Sequence, residues 1–420
     1  LTYAQSSFVQ LAWFLAYLLL SIPAGMLITK IGYKKGLIWG LGVAGLGCML
    51  FYPAAESRIY FVFLLALFVV AGGITIIQVS ANPYVTALGS PEKASARLNL
   101  AQAFNSVGTT IAPILGAAYL LSDNIKSSTE IGDLTSAEKL EYFALESSAV
   151  QGPFLVLGAA LVGLLLIVMV IKLPKILGEK KYKLDPNAID TGQNSTTNLS
   201  IGSQFMVAFK IRSVKLGMIG IFLYVGAEVA IGSFLVNYFL EMDLSDIIRN
   251  SDTLSGIAGF MSNTFSGKAL GDVDDKAVVG TFVAFYWGSA MIGRFLGSFL
   301  TSIIKPGKVL TIAGIGAIVF ALITISTTGL TSMWSALIIG FFNATMFPTI
   351  FSMAVNGTGN SKAQASGLLC TAIFGGAVIP ILFSSIADFQ GFKVALILPV
   401  ICYVYIAFFS KMLGKSQSLK

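Results

Sequence analysis

One carboxylate and a set of carboxamides lie inside apolar stretches of this chain. Glu228 sits in Gly220-Ile-Phe-Leu-Tyr224-Val-Gly-Ala-Glu228-Val-Ala-Ile-Gly-Ser233. Gln78 and Asn82 are four residues apart on one apolar stretch, and Asn99, Gln102 and Asn105 are three apart on the next. In hydrocarbon each such group needs a partner, so a cluster of them implies a wet cavity or a polar ligand. Uncharged amides on two adjacent stretches suit a neutral, hydroxyl-rich ligand such as a sugar. A carboxylate at the bilayer centre costs about 2–3 kcal/mol or more. That cost falls if the group faces water, pairs with a cation or is protonated. Glu228 is therefore the candidate for coupling to H⁺, or to Na⁺, whose hard character suits carboxylate and amide oxygens. The plainer reading of Glu228 is a hydrogen bond between helices. For a single amide it is interhelical glue, worth about 0.6 kcal/mol. The set as a whole favours a lined cavity.

Other polar residues rank around these. Gln78 and Asn82 lie about 40° apart on a helical wheel, with Thr75 and Thr86 near the same face. Pro83 removes one backbone hydrogen bond there and should kink the helix. Tyr224 is one turn from Glu228 and could share its cavity. Asn343, with Phe347 and Pro348 nearby, is a candidate from the second half of the chain. Asn237 faces away from Glu228 on an unbroken helix and ranks lower. Arg294 is a buried cation placed by the sequence near a lysine-rich end, where a structural ion pair or a carbonyl clamp at the adjoining loop explains it best. The chain has no histidine, which removes His metal sites, His-based triads and His proton relays. Cys48, Cys370 and Cys402 each lie in an apolar run and read as small buried hydrophobes.

These residues need helices in a bilayer to hold them. Of 420 residues 55% are hydrophobic and only 11% charged, at a mean hydropathy of +0.82. A soluble domain usually carries about 25% charged residues, so this is a polytopic all-α membrane protein. The net charge of +7 does not point to nucleic acid, because the basic residues are spread over loops. Crossing a bilayer takes about 20 apolar residues. Eleven stretches qualify: Phe8–Ile28, Leu37–Phe51, Tyr60–Ala87, Leu98–Leu121, Gly152–Leu173, Leu216–Leu240, Val278–Ile304, Val309–Ser326, Trp334–Asn356, Ala363–Ile386 and Val394–Met412. The second is short and must borrow flanking residues.

Alternating the loops puts 19 basic residues on one side and 7 on the other, with Arg294 inside a span. The positive-inside rule makes the first side cytoplasmic, and with it the C-terminus, in a multi-pass protein of the inner (plasma) membrane. Eleven spans then leave the N-terminus outside, as if the first helix of twelve were absent. Pro174–Ser213, rich in Lys, Asn, Ser and Thr, divides five spans from six. This predicts an N-terminal bundle over residues 1–173, a cytoplasmic linker over 174–213 and a C-terminal bundle over 214–420. A short internal echo supports the halves: Gly25 to Lys35 closes the first span, and Gly293-Arg294-Phe-Leu-Gly297 runs into Lys305-Pro306-Gly307-Lys308. Repeated halves are typical of secondary transporters. Ser122–Val150 and Glu241–Ala277 read as solvated outer loops, the second with a partly disordered insertion over Ser251–Asp275.

The stretch Ala81-Asn82-Pro83-Tyr84-Val-Thr86-Ala-Leu-Gly89, followed by Arg97-Leu-Asn99-Leu-Ala-Gln102-Ala-Phe-Asn105-Ser-Val-Gly108, resembles the fucose–galactose–glucose permeases of the major facilitator superfamily. The resemblance continues through Tyr224-Val-Gly-Ala-Glu228, Gly293-Arg294-Phe and Phe347-Pro348-Thr349-Ile-Phe351-Ser. It implies the major facilitator fold, twelve helices in two bundles, alternating access and cation-coupled sugar uptake. By position, Gln102 and Asn105 would touch the sugar. Fucose permeases carry a glutamate where this chain has Gln78 and a glutamine where it has Glu228, so the carboxylate has changed halves. That pattern is closer to the glucose/galactose branch. The family's tyrosine before Pro-Thr-Ile-Phe-Ser is Phe347 here, and the family's first helix, with its aspartate, is absent from this sequence.

The expectation is a secondary active transporter, and not an enzyme, that moves a neutral hexose such as glucose or galactose with H⁺ or Na⁺. It needs no cofactor or metal, lies in the bilayer, acts as a monomer and contacts no nucleic acid. The substrate-binding candidates are Gln78, Asn82, Gln102, Asn105, Tyr224, Glu228 and Asn343, with Glu228 coupling the cation. Fucose and N-acetylglucosamine remain alternative substrates. A non-transporting sugar sensor would want a soluble signalling domain, and a membrane enzyme would want a metal cluster or an activated nucleophile.

Overall fold

The apolar runs of the sequence become long helices in a computed structural model, which describes residues 3–120, 134–174 and 201–417. In order these are α1 (Tyr3–Ile31), α2 (Tyr33–Ser57), α3 (Tyr60–Ala87), α4 (Ala94–Leu120), α5 (Ser136–Ser148), α6 (Gln151–Val170), α7 (Ile201–Lys210), α8 (Arg212–Glu241), α9 (Leu244–Arg249), α10 (Asp252–Ser266), α11 (Asp275–Ile303), α12 (Pro306–Ser326), α13 (Gly329–Asn343), α14 (Met346–Val355), α15 (Lys362–Thr371), α16 (Gly375–Gln390), α17 (Phe392–Ala395) and α18 (Ile397–Gln417). Ten stretches of the described residues are long and apolar enough to cross a membrane. The carboxamide-bearing α4 is not among the ten, although at 27 residues it has the length to span. It is the most polar of the long helices because it carries the candidate site residues. α2 does borrow flanking residues, reaching 25.

Small residues and basic caps hold the helices together. α2 and α3 approach so closely that a Cβ on Gly73 would lie 2.6 Å from Ala44 Cα, the kind of contact that drives helix association in lipid. Gly32, at φ 83°, turns the chain from α1 into α2 in one residue, a conformation glycine adopts without strain. At the lysine-rich end, Lys34 Nζ donates to Met169 O (2.9 Å) and Ile171 O (2.8 Å), covering carbonyls that the end of α6 leaves without helical partners. Arg97 similarly donates to the carbonyls of Val85, Thr86 and Ser90 at the end of α3.

Helices on either side of residues 175–200 meet along two seams. α1 and α3 pack on α15, and α4 packs on α11 and α14. Near the lysine-rich end these seams carry hydrogen bonds: Ser95 Oγ to Ser352 Oγ at 2.6 Å, Asn99 Nδ2 to Thr349 Oγ1 at 3.2 Å, and Ser298 Oγ to Ala96 O at 2.9 Å. Ser366 Oγ donates to Val79 O at 3.0 Å. Val79 O is the carbonyl that residue 83 would bond in an unbroken helix; Pro83 has no N–H, so the carbonyl is free to bond across the seam.

The structure corrects the sequence reading of two spans, two outer segments and the linker. Spans nine and ten are each interrupted: α13 stops at Asn343 before α14, and a 3₁₀ turn over Ala372–Phe374 separates α15 from α16. Pro348, in the first turn of α14, cannot bond Ala344 O, which accounts for the first break. The outer segment Glu241–Ala277 is helical rather than a disordered insertion. Leu244, Ile248, Leu254 and Ala258 bury their side chains against the core, and Arg249 donates to Leu270 O (2.8 Å) and Val273 O (2.7 Å) and pairs with Asp275. In Ser122–Val150, residues 122–133 lie outside the described residues, and the remainder holds α5, begun by a capping box of Thr135 and Glu138. The linker likewise holds α7, with residues 175–200 outside the described residues. Phe205 and Ala208 of α7 are buried against Val214, Ala365 and Leu368. Cys48, Cys370 and Cys402 are buried free thiols.

Candidate functional site

α8 carries Glu228 and Tyr224 one turn apart, both turned into the protein. Glu228 is 9% exposed and Tyr224 1%. Facing them on α11 is Arg294, whose Nη2 lies 3.6 Å from Glu228 Oε1, with the two side chains 13% and 12% exposed. Arg294 is therefore not a clamp on the adjoining loop. It is the counter-charge of the intramembrane carboxylate, because the turn that carries it faces α8 rather than the helix end. Its Nε donates to Ala344 O at 3.3 Å, the carbonyl that Pro348 leaves free. Its Nη1 donates to Ser106 Oγ on α4. One guanidinium thus ties together α8, the break in span nine and a helix from the other side of the seam.

A second chain of bonds fixes the same region. Asn343 Nδ2 donates to Tyr286 Oη at 2.9 Å, and Tyr286 Oη donates to the backbone carbonyl of Glu228 at 3.2 Å. Tyr403 on α18 lies beside Asn343. Glu228 Oε1, Tyr224 Oη, Asn343 Oδ1 and Tyr403 Oη are all buried, and among the described residues none of them has a hydrogen-bond partner within 3.5 Å. Buried polar atoms are normally satisfied; here Glu228 Oε1 has only its 3.6 Å ion pair with Arg294 and the other three oxygens sit beside it without a close donor or acceptor, so the group marks a place built to meet a proton, a water or a hydroxyl-bearing ligand.

The candidates from the first half divide. Gln102 and Asn105 flank Ser106 on α4, and Ser106 Oγ hydrogen-bonds Gln102 O at 3.0 Å while accepting from Arg294. The bond reaches only the backbone of Gln102, whose side chain is half-buried, and Asn105 is exposed. Gln78 and Asn82 on α3 form no hydrogen bond to the Glu228 group. Gln78 Nε2 donates to Tyr17 Oη on α1 at 3.0 Å, while Asn82 is buried and its Nδ2 has no partner among the described residues. Asn99 serves as glue across the seam, and Thr75, Thr86 and Thr109 bond carbonyls of their own helices. Asn237 is exposed. Ser106 shares the polar face of Asn99, Gln102 and Thr109, whereas Tyr17, Tyr286 and Tyr403 were not predicted. Tyr286 and Tyr403 carry no periodic signal, since tyrosine is common in apolar helices, but the Tyr17–Gln78 pair lies on two spans facing one seam. A cavity of about 840 Å³ at the lysine-rich end contains none of the seven candidates. The Glu228 group is enclosed by its own partners instead.

Comparison with known proteins places these features in a family. The chain matches the Major Facilitator Superfamily over residues 1–381. It is 42% identical over 416 residues to a glucose/galactose transporter of Brucella abortus, covering 99% of this chain and 87% of that protein. To the L-fucose-proton symporter of Escherichia coli it is 30% identical over 414 residues, covering 98% and 85%. A crystal structure of the major facilitator transporter FucP in the outward conformation superposes with a TM-score of 0.80 at 28% identity, covering 98% of this chain and 91% of that one.

Proposed function

The chain belongs to the major facilitator superfamily, and we propose that it takes up glucose or galactose together with a proton by alternating access. It is a multi-pass membrane transporter of sugars and not an enzyme, in line with its relatives named as sugar transporters and proton symporters. The finer reading is a monomer of the inner membrane, with the lysine-rich end and the C-terminus cytoplasmic, an N-terminal bundle over 1–173, a linker over 174–213 and a C-terminal bundle over 214–420. The seam bonds at the lysine-rich end then correspond to a closed cytoplasmic gate. The likeness to FucP in its outward conformation supports that assignment.

The observation that carries the coupling mechanism is the Glu228–Arg294 pair and its bond to Ser106. Ionised, Glu228 holds Arg294, and Arg294 holds the other bundle through Ser106. A proton on Glu228 removes its charge and loosens Arg294 from α8, so the two bundles can rearrange around the sugar. Gln102 and Asn105, beside Ser106, and Tyr224, beside Glu228, are the proposed sugar contacts nearest this switch. Gln78, Asn82 and Asn343 complete the proposed set, with Gln78 binding rather than coupling. The guanidinium next to the carboxylate opposes either added cation, so the choice of a proton over Na⁺ is supported by the relative named as a proton symporter.

The test is a hexose panel in proteoliposomes, read by counterflow and by accumulation under an imposed proton gradient. Glu228→Gln, a neutral isostere of the protonated acid, is expected to keep counterflow and lose accumulation. A Glu228→Gln variant that concentrates sugar like the wild type sinks the coupling role. Accumulation driven by a Na⁺ gradient alone would replace the proton as the coupling ion.

A further inference from the structure

Residue 228 is held by α11 at two points. Arg294 Nη2 faces its carboxylate at 3.6 Å, and Tyr286, about two turns earlier on α11, donates to its backbone carbonyl at 3.2 Å. Tyr286 is 1% exposed, so this bond lies in the protein interior. A tyrosine hydroxyl has one hydrogen. With it directed at Glu228 O, Tyr286 Oη meets Asn343 as an acceptor, and Asn343 Nδ2 donates to it at 2.9 Å. The amide thereby keeps the hydroxyl turned towards α8. Small residues make the contact close. A Cβ on Gly340, one turn before Asn343, would collide with Tyr286 O, and one on Gly232, one turn after Glu228, would lie 3.4 Å from the Tyr286 ring. Ser289 Oγ bonds both Tyr286 O (2.8 Å) and Leu337 O (3.1 Å), pinning α13 to α11 beside the same ring.

We propose that Tyr286 is a positioning residue for proton coupling, which fixes the backbone of residue 228 so that the carboxylate meets Arg294. The proposal rests on the sugar–proton reading above and adds to it a residue that touches neither ligand. Without the bond to Glu228 O, this turn of α8 is tied to α11 through the carboxylate alone, and the ion pair loses the alignment that the backbone bond supplies. A looser pair favours the ionised acid less, so in a variant lacking the bond the proton binds at a higher pH. Bonds in a chain polarise one another, so removing the donation from Asn343 acts in the same direction, by less. Among the described residues, the groups that face Glu228 besides Arg294 and Tyr286 are Tyr224 on α8 and Tyr403 on α18. α13 and α14 contain no titratable residue. α15 brings Lys362 and Cys370 nearer the lysine-rich end, where Leu369 meets Gly217, and α16 brings Asp388, past the level at which Phe383 stacks on Phe234. Tyrosine and arginine keep one form near neutral pH, so Glu228 is the group in this cluster that titrates there.

The experiment titrates galactose and glucose into the full chain in an uncharged maltoside detergent, from about pH 5 to about pH 9. Wild-type affinity is expected to fall as the pH rises through one midpoint, and Glu228→Gln to show no midpoint. Tyr286→Phe keeps the ring in its packing and removes both hydrogen bonds. Its midpoint should lie about 0.7 pH unit higher, about a fivefold change in proton affinity, the size of one neutral hydrogen bond. Asn343→Ala should move the midpoint the same way by less, whatever it does to sugar affinity itself, and it decides the question if Tyr286→Phe does not fold. Far-ultraviolet circular dichroism reports folding. A purely structural Tyr286 predicts weaker binding at every pH around the wild-type midpoint, and that result overturns the proposal. So does a midpoint that moves down, or a midpoint that survives in Glu228→Gln. A wild type that binds neither sugar, or binds them equally at every pH, refutes the substrate or the coupling reading itself, and this inference falls with it.

Discussion

Removing one member of the Glu228–Arg294 pair should destabilise the protein more than removing both. At 3.6 Å and an effective dielectric of about 20, the attraction is about 5 kcal/mol. Both side chains are less than one-seventh exposed, so screening by water discounts this little. A partner left alone must carry an uncompensated buried charge, which costs about 3–5 kcal/mol. Arg294→Met and Glu228→Leu should therefore each lower stability by about that amount, and the double variant should recover most of it. Arg294→Lys keeps the charge but loses the planar fork that reaches Glu228, Ala344 O and Ser106 together. It should fall between the wild type and Arg294→Met. The assay is a double-mutant cycle read by denaturant unfolding in mixed micelles, with far-ultraviolet circular dichroism as a check that each variant is folded. A coupling energy near zero, or a double variant as unstable as Arg294→Met, would refute the claim that these two charges balance each other.

Two further outcomes concern the seam. Ser366→Ala removes its bond to Val79 O and should shift the gate towards opening about fivefold, the equivalent of about 1 kcal/mol. Pro83→Ala restores an amide that competes for Val79 O, so Ser366→Ala should have no further effect in that background. Alkylation of Ser352→Cys, in a chain whose three native cysteines are replaced, reports the opening; equal effects in both backgrounds would rule out the proline's part. Phe205 fits against Gly25 and Gly367, its ring 3.0 Å from where a Cβ on Gly25 would stand, so α7 plugs the seam between α1 and α15. Phe205→Ala should increase the same alkylation by more than Ser366→Ala does, because a buried aromatic contributes more than one neutral hydrogen bond; unchanged alkylation would mean that α7 is not part of the gate.

Much of the fold was legible because lipid imposes a length and a composition on each span. Apart from the broken spans nine and ten, the sequence-predicted spans correspond to long helices, including the polar α4, and Glu228 stood out as the one acidic residue within the spans. Other parts were hidden for identifiable reasons. α9 and α10 escaped notice because Gly, Ser and Asp mask the buried positions Leu244, Ile248, Leu254 and Ala258. α7 escaped because its apolar face is short and lies in a lysine- and asparagine-rich segment. The breaks at Asn343 and Ala372 sit inside apolar runs that read as continuous.

By itself the sequence determined that this chain spans a membrane many times, which residues are polar in its interior, and, through the Asn82–Asn105 and Tyr224–Glu228 stretches, which family it belongs to. Those conclusions follow from hydrophobic length and local spacing, which any window of the chain contains. Only the tertiary structure decided who partners whom. Arg294 is 66 positions from Glu228 and 188 from Ser106, and nothing local to any of the three announces the others. The carbonyls freed by Pro83 and Pro348 are predictable from the backbone. That Ser366 and Arg294 fill them is settled by the packing of helices far apart in the chain.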